Sequence, residues 1–313
     1  MTRLALLATS ASTIGERVDR LFAALVAVTG VMALAIFALI FWFAVRYRRR
    51  EGAGPPPQNP GHLGLEVTWT AVPLAVFLGL FAWASRLYVE ESRLPPDAEQ
   101  VYVVAKQWMW KFQHPEGARE ADVLHVPVGR PVRLLMTSED VIHSFYVPAF
   151  RLKMDVLPGR YTTTWFEATR TGAFHLFCAE YCGTKHSGMV GRVVVLDPED
   201  YQRWLARTDL GRPLADSGAE LFEQYRCSSC HAAEDTERGP ALGGLLGRRV
   251  RLASGETVVA DPAYLRESLL EPAARVVAGY AATMPTYEGQ LTEEQILQLL
   301  AHVQSLPAAE TAR

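Results

Sequence analysis

The sequence predicts a membrane protein of several domains: a two-helix transmembrane hairpin, then a β Greek-key domain, then an all-α domain. Three observations carry that prediction. Leu21 to Val45 is apolar and uncharged, and Val67 to Leu87 is a second such run whose one charge, Arg86, lies near its far end. Short β-prone segments bounded by Gly, Pro and charged residues fill the stretch from residue 100 to 196. Cys227, Cys230 and His231 then form a Cys-x-x-Cys-His motif, followed by helical periodicity. A length of 313 residues suits two or three domains. The net charge of −3 gives no electrostatic case for nucleic acid.

A helix of about 20 apolar residues crosses a bilayer. Either run alone could be a buried helix of a soluble protein, but two separated by a short polar loop favour a hairpin, with helices over about 21–45 and 67–89 and residues 1–95 as the membrane part. Arg46, Arg48, Arg49 and Arg50 crowd the start of the loop. The outer flanks mix signs, with Asp19 beside Arg20, then Glu90 and Glu91 beside Arg93. The excess of basic residues puts the loop in the cytoplasm and both termini outside. Arg3 and the short apolar stretch Leu4 to Ala8 argue against a cleaved signal peptide. Glu66, at the cytoplasmic start of the second span, is either wetted by headgroups or functional.

After Pro95 and Pro96 come V-Y-V-V-A-K, L-H-V-P-V, P-V-R-L-L-M, Y-T-T-T-W-F-E, F-H-L-F and G-R-V-V-V-L. Strands at this spacing predict a Greek-key sandwich or barrel over residues 96–206. Trp108 and Trp110, in K-Q-W-M-W, are expected in the core or at an interface. Alternation along G-A-F-H-L-F-C turns His175 away from the face used by Cys178. His62, His114, His125 and His302 have no partner pattern and are expected to be structural. Asp197 and Pro198 open a helix. Residues 207–216, with Gly211 and Pro213, read as a linker. Ser217 and Glu220 read as a capping box that starts the helical domain, 217–313. Thr292 with Gln295 caps its last helix, whose Ile296, Leu299, Leu300 and Val303 share one apolar face.

The densest chemistry lies between Phe177 and Met189, where Cys178, Cys182, His186 and Met189 share one short loop. Thiolate, imidazole and thioether favour copper over calcium or magnesium. His143 is the best source of a second imidazole, and two thiolates with two histidines suit a pair of coppers. A structural zinc site fits the spacing but leaves Met189 unexplained. Downstream, Cys-x-x-Cys-His is the attachment signature of c-type haem; a thioredoxin-like redox pair would need a surrounding βαβ pattern, and none is present. Met284 is the only methionine after the motif and hence the expected second axial ligand. With both pairs used, the four cysteines leave none for a disulfide.

The pattern His143…Cys178-x-Glu180-x-Cys182-x-x-x-His186-x-x-Met189 resembles the dinuclear copper A site of cytochrome c oxidase subunit II. The resemblance implies that Cys178 and Cys182 bridge two coppers and that His143 and His186 are terminal ligands. Met189 and the Glu180 carbonyl would be the weak ligands, with the Glu180 side chain reaching a magnesium ion at the border with subunit I. Residues 100–205 resemble the cupredoxin scaffold, and G-P-A-L-G-G-L-L-G-R with the final helix resembles class I cytochrome c. Trp108, after Gln107, matches the tryptophan that receives the incoming electron, although Met109 departs from the usual aromatic. Glu66 matches the glutamate at the mouth of a proton path into subunit I. Lys153 to Asp155 and Pro158 to Arg160 match loop and subunit-contact residues.

From about Asp19 to Leu306 the chain is therefore similar to a bacterial subunit II fused to cytochrome c. That implies electron transfer from haem c through copper A to haem a in subunit I, where oxygen becomes water and protons are pumped. The implied partners are subunits I and III, the lipid bilayer and an external donor such as a cytochrome c or the cytochrome bc complex. The implied location is the bacterial plasma (inner) membrane, with both cofactor domains on the periplasmic side. A quinol-oxidase subunit II would lack the copper ligands, and nitrous oxide reductase needs a propeller domain for which there is no room. The reading from another class is a membrane-tethered copper-binding or assembly protein without an enzymatic partner, which gives no reason for the haem motif.

Overall fold

The computed structural model describes residues 10–49, 61–207 and 211–308. Arg3, Leu4 to Ala8, Arg50 and the linker residues Thr208 to Leu210 lie outside the described residues. The chain divides into a unit of residues 13–93 and a unit of residues 1–12 with 94–313.

The first unit is a helical hairpin, α1 (Thr13–Arg46) and α2 (Leu63–Glu91). At 34 and 29 residues, both exceed the bilayer requirement. Arg17 near the start of α1 pairs with Glu90 near the end of α2 at 3.1 Å, so the helices run antiparallel. Their apolar side chains point outward, Leu34 and Phe41 being 72% and 73% exposed. Such a surface is stable only against lipid or other apolar partners. Hydroxyls in the apolar stretch are satisfied locally: Thr29 donates to the Leu25 carbonyl at 2.7 Å and Thr68 to that of Gly64 at 2.7 Å.

The second unit opens on a β-sandwich. Its strands are β1 (Glu99–Lys106), β2 (Met109–Gln113), β3 (Arg119–Ala121), β4 (Val123–Pro127), β5 (Pro131–Ser138), β6 (His143–Val147), β7 (Leu152–Val156), β8 (Thr162–Glu167), β9 (Gly172–Cys178) and β10 (Val190–Leu196). One sheet has the order β3-β2-β1-β5-β8 and the other β4-β10-β9-β6-β7. The parallel pairs β1/β5 and β4/β10 require crossovers between the sheets, as in a Greek key. Alternate residues from both sheets, among them Val103, Trp110, Phe112, Leu134, Met136, Phe145 and Val193, fill the space between them. Residues 10–12 join this unit: Ala11 N–H donates to the Ala149 carbonyl at 2.8 Å, and Thr169 N–H to that of Ala11 at 2.9 Å.

Sequence reading finds six strands and misses β2, β3, β6 and β7. Lys153 to Asp155, expected in a loop, lie on β7. Their polar residues stand on an outer face, where Asp155 accepts from Ser144 at 2.7 Å and from Lys153 at 2.9 Å.

Helix α3 (Pro198–Arg207) follows Asp197 and packs on a buried polar network. Glu120 accepts from the His125 amide at 3.0 Å, lies 3.0 Å from His114 Nε2 and also bonds His125 Nδ1. Tyr201 donates to Glu99 at 2.7 Å, while Trp204 stacks on His125 at 4.6 Å. Burial pushes the Glu120 carboxyl up, but the hydrogen bonds from His114 and His125 outweigh it and hold the group below its ordinary value. A depressed carboxylate contributes stability above the unfolded-state pKa, and that contribution is lost as pH falls through the folded value. Glu120→Gln is expected to cost about 1–3 kcal/mol at neutral pH and to flatten the acid limb of stability. Thermal unfolding of the two proteins across a pH series measures both.

The helical part comprises α4 (Leu214–Gln224), α5 (Pro262–Leu270) and α6 (Glu293–Ser305), with a small hairpin at Arg249–Arg251 and Thr257–Val259. The expected capping box at Ser217 and Glu220 is not formed. Pro213, at φ −48°, starts α4 within the expected linker, the Ser217 amide bonds the Pro213 carbonyl inside the helix, and Glu220 pairs with Arg212. The Thr292–Gln295 capping box is present on α6, and Ile296, Leu299, Leu300 and Val303 are buried as expected. Helices α4 and α6 touch at Gly218, where a Cβ would lie 2.0 Å from the Gln298 carbonyl oxygen. Gly218→Ala must separate the helices, at a cost on the order of 1–3 kcal/mol. A lowered melting temperature of the transition of the helical part is the expected result.

Candidate functional site

Two sites lie in the second unit. The first occupies one end of the sandwich. Its donors come from the start of β6, the end of β9 and the loop that returns to β10. The Cys178 amide donates to the Met189 carbonyl at 3.1 Å, closing the loop at its base. A short 3-10 turn, His186–Gly188, sets His186 and Met189 on the inner side. Gly183, at φ +115°, passes beneath the β1–β2 turn, where a Cβ would come within 3.0 Å of Gln107 Nε2 and 3.2 Å of Trp108 Cζ2.

The two thiols stand 3.7 Å apart. His143 Nδ1 lies 3.8 Å from Cys178 Sγ, and His186 Nδ1 lies 3.5 Å from Cys182 Sγ. Met189 Sδ is 3.8 Å from Cys182 Sγ, while the Glu180 carbonyl oxygen is 3.2 Å from Cys178 Sγ. Thus a central pair of sulfurs has one imidazole nitrogen at each end and one weak donor on each side. Cys178, Cys182, His143 and Met189 are buried; the Glu180 side chain is exposed. Burial raises both thiols. At Cys178 the hydrogen bonds from His143, the backbone and Cys182 together outweigh it and favour the thiolate, which in turn opposes ionisation of Cys182. A bound cation would relieve that opposition, so the donor set fits soft metal ions.

Asp140 is the functional neighbour that sequence reasoning missed. Its Oδ1 lies 2.8 Å from His143 Nε2 and its Oδ2 accepts from the Gln107 amide at 2.7 Å. One carboxylate thereby orients a donor imidazole and pins the turn that carries Trp108. The only sequence signal is an Asp three residues before a His, which is too common to single out. Trp108 Nε1–H donates to the Cys182 carbonyl at 3.1 Å, with the Lys185 ammonium 5.6 Å from the ring centroid. Trp110 turns into the core instead, its ring 6.1 Å from that of His143 in an edge-to-face arrangement. His175 is exposed, on the face opposite Cys178. Glu66 belongs to the membrane unit, in the first turn of α2, where its charge complements the helix N-terminus.

The second site is a cavity of about 360 Å³ in the helical part, lined among others by Cys227, Cys230, His231, Met284, Leu299 and Leu300. A tight turn brings the His231 amide to the Cys227 carbonyl at 2.9 Å, which holds the motif compact. His231 Nδ1 lies 2.8 Å from the Pro240 carbonyl. A carbonyl can only accept, so Nδ1 carries the proton and the Nε2 lone pair is free for a metal. Gly239 lets this loop close, since a Cβ would stand 3.1 Å from both the Cys230 oxygen and His231 Cε1. Two thiols, one oriented imidazole, a thioether and apolar walls fit a covalently held haem.

The sequence matches the family description "Cytochrome C oxidase subunit II, periplasmic domain" over residues 118–196 and "Cytochrome c" over residues 215–307. It is 29% identical to cytochrome c oxidase subunit 2 of Alkalihalophilus pseudofirmus, across 90% of this chain and 85% of that protein. It is 32% identical to alternative cytochrome c oxidase subunit 2 of Bradyrhizobium diazoefficiens, across 63% of this chain and 82% of that one. Among solved structures, it is similar to the periplasmic domain of cytochrome oxidase subunit II of Bradyrhizobium japonicum, at 30% identity and a TM-score of 0.36, covering 37% of this chain and 96% of that chain. The matched domains imply copper A and haem c, and with the two apolar helices they fit a membrane protein whose copper domain faces outward. The chain belongs to the cytochrome c oxidase subunit 2 family and carries a cytochrome c domain after its cupredoxin-like domain.

Proposed function

We propose that this chain is the electron-receiving subunit of a proton-translocating bacterial cytochrome c oxidase. When bound, haem c and a copper pair supply one-electron chemistry that links an external donor to haem a of subunit I, where oxygen is reduced to water. The residues that would hold the coppers are His143, Cys178, Cys182, His186, Met189 and the carbonyl of Glu180. Those that would hold haem c are Cys227, Cys230, His231 and Met284. Trp108, bonded to the Cys182 carbonyl, is the proposed point of electron arrival. Asp140 keeps His143 oriented, and the buried sheet around it limits movement of the ligands when their charge changes. Glu66 is assigned to the mouth of a proton path, and the exposed Glu180 carboxylate to magnesium at the border with subunit I. The functional division follows residues 1–95, 96–206, 207–216 and 217–313, with the arginine-rich loop in the cytoplasm and the remainder in the periplasm. Subunits I and III and a cytochrome c or cytochrome bc donor are the proposed partners, and the plasma membrane the proposed location.

The observation that carries this reading is the 3.7 Å sulfur pair with an imidazole at each end. A lone copper carrier needs neither the second thiolate nor a haem cavity in the same unit. Purification of the tagged chain from detergent-solubilised membranes is the test. Co-purification of subunit I with cytochrome c-dependent oxygen uptake is expected. Recovery as a lone copper-binding chain without oxidase activity would favour the assembly-protein reading.

A further inference from the structure

The haem-bearing part does more than follow the sandwich on a linker; it is packed against the outer face of one sheet. Strand β1 buries residues of both parities. Val101, Val103 and Ala105 enter the sandwich core, while Tyr102 and Val104 join a different buried cluster. That cluster also contains Leu135 of β5 and Ile296, Leu297 and Leu300 of α6. Leu300 lines the haem cavity as well, so one layer of side chains serves as both cavity wall and domain seam.

An ion pair closes the seam at one edge and a hydrogen bond from a guanidinium closes it at another. Lys111 Nζ, on β2, lies 3.1 Å from Glu139 Oε1 and 3.0 Å from Glu294 Oε1 in the first turn of α6. Arg266 of α5 donates to the Gly159 carbonyl at 2.7 Å and pairs with Glu293. The Lys111 group is more than a surface pair: the three side chains are 26%, 20% and 31% exposed. Glu139 directly precedes Asp140, which bonds both His143 and the turn carrying Trp108. A short relay therefore joins the N-terminus of α6 to the loop that orients a copper-site imidazole.

We infer that Lys111 is a positioning residue that clasps the haem domain to the copper-site loop, giving the two cofactors a fixed separation instead of a swinging approach. An apolar seam closed by partly buried charges resists the relative motion expected of weakly joined domains. The inference rests on the functional reading above, because it assigns the seam a role in haem-to-copper electron transfer.

The test uses the full-length chain in its purified oxidase, with haem-to-copper transfer followed after flash reduction of the haem. In the unaltered protein the rate should be insensitive to solvent viscosity. Lys111→Met should lower it about tenfold and make it viscosity-dependent, because a reacting geometry displaced by an ångström or so costs rates of this order. Lys111→Arg should restore it to within about twofold, and adding Glu294→Gln to Lys111→Met should change little, as for members of one coupled pair. Nitroxide labels at Thr169→Cys and Glu256→Cys, on exposed positions of the two domains, should give one narrow distance that broadens in Lys111→Met. Unchanged rate and unchanged label distances in Lys111→Met would overturn the inference, as would viscosity dependence in the unaltered chain. Absence of any haem-to-copper transfer in the unaltered oxidase would sink the functional reading instead, and the label distances would still decide whether the seat is fixed.

Discussion

Replacing Cys182 by Ser is expected to erase the two-copper electronic signature and leave haem absorption intact. Cys182 Sγ is the hub of the site, within 3.5–3.8 Å of Cys178 Sγ, His186 Nδ1 and Met189 Sδ. A hydroxyl is a hard, protonated donor at neutral pH and cannot bridge two soft ions as a thiolate does. The loop itself should survive, because the bonds from Gln107 and Trp108 go to the Cys182 carbonyl and not to its side chain. Copper content should fall by at least half and the delocalised mixed-valence spectrum should vanish. Electron paramagnetic resonance with elemental analysis reads both. An unchanged copper signal would defeat the ligand assignment.

Met284→Leu should lower the haem potential by on the order of a hundred millivolts, since axial ligation is a principal determinant of haem potential. Met284 is the only methionine after the haem motif, and it lines the same cavity as His231. Leucine nearly matches its volume, so packing should change by less than about 1.5 kcal/mol while the sulfur donor is lost. The ferric haem should shift toward high spin. Redox titration with optical spectra follows both changes, and an unaltered potential and spin state would point to another axial ligand.

The membrane hairpin was the most legible part of the chain, because a long uncharged apolar run has few other physical solutions. The central strands were legible from alternation. Strand β6 was not: His143 and Ser144 begin it, and both are buried polar residues, His143 lying 2.8 Å from Asp140 and Ser144 donating to Asp155 at 2.7 Å. Strand β1 shows the same limit from the other side. Its run of apolar residues reflects burial on both faces, one against the sandwich core and one against α6, and that second contact is made with residues nearly two hundred positions away. Leu297 fell outside the amphipathic face assigned to α6 for the same reason. The soft-donor cluster and the Cys-x-x-Cys-His motif stand out because Cys178, Cys182, His186 and Met189, and likewise Cys227, Cys230 and His231, lie close together along the chain. Asp140 could not, since an orienting carboxylate carries no spacing rule of its own. The attachment of residues 10–12 to the sandwich also depends on contacts that local patterning does not encode.

Paramagnetic resonance of the purified full-length chain, combined with its copper-to-iron ratio, tests the central claim most directly. One electron shared equally between paired coppers is expected, with two copper atoms for each haem iron. Zinc at the cysteine pair, or an isolated cupric spectrum with a single copper per iron, would contradict it.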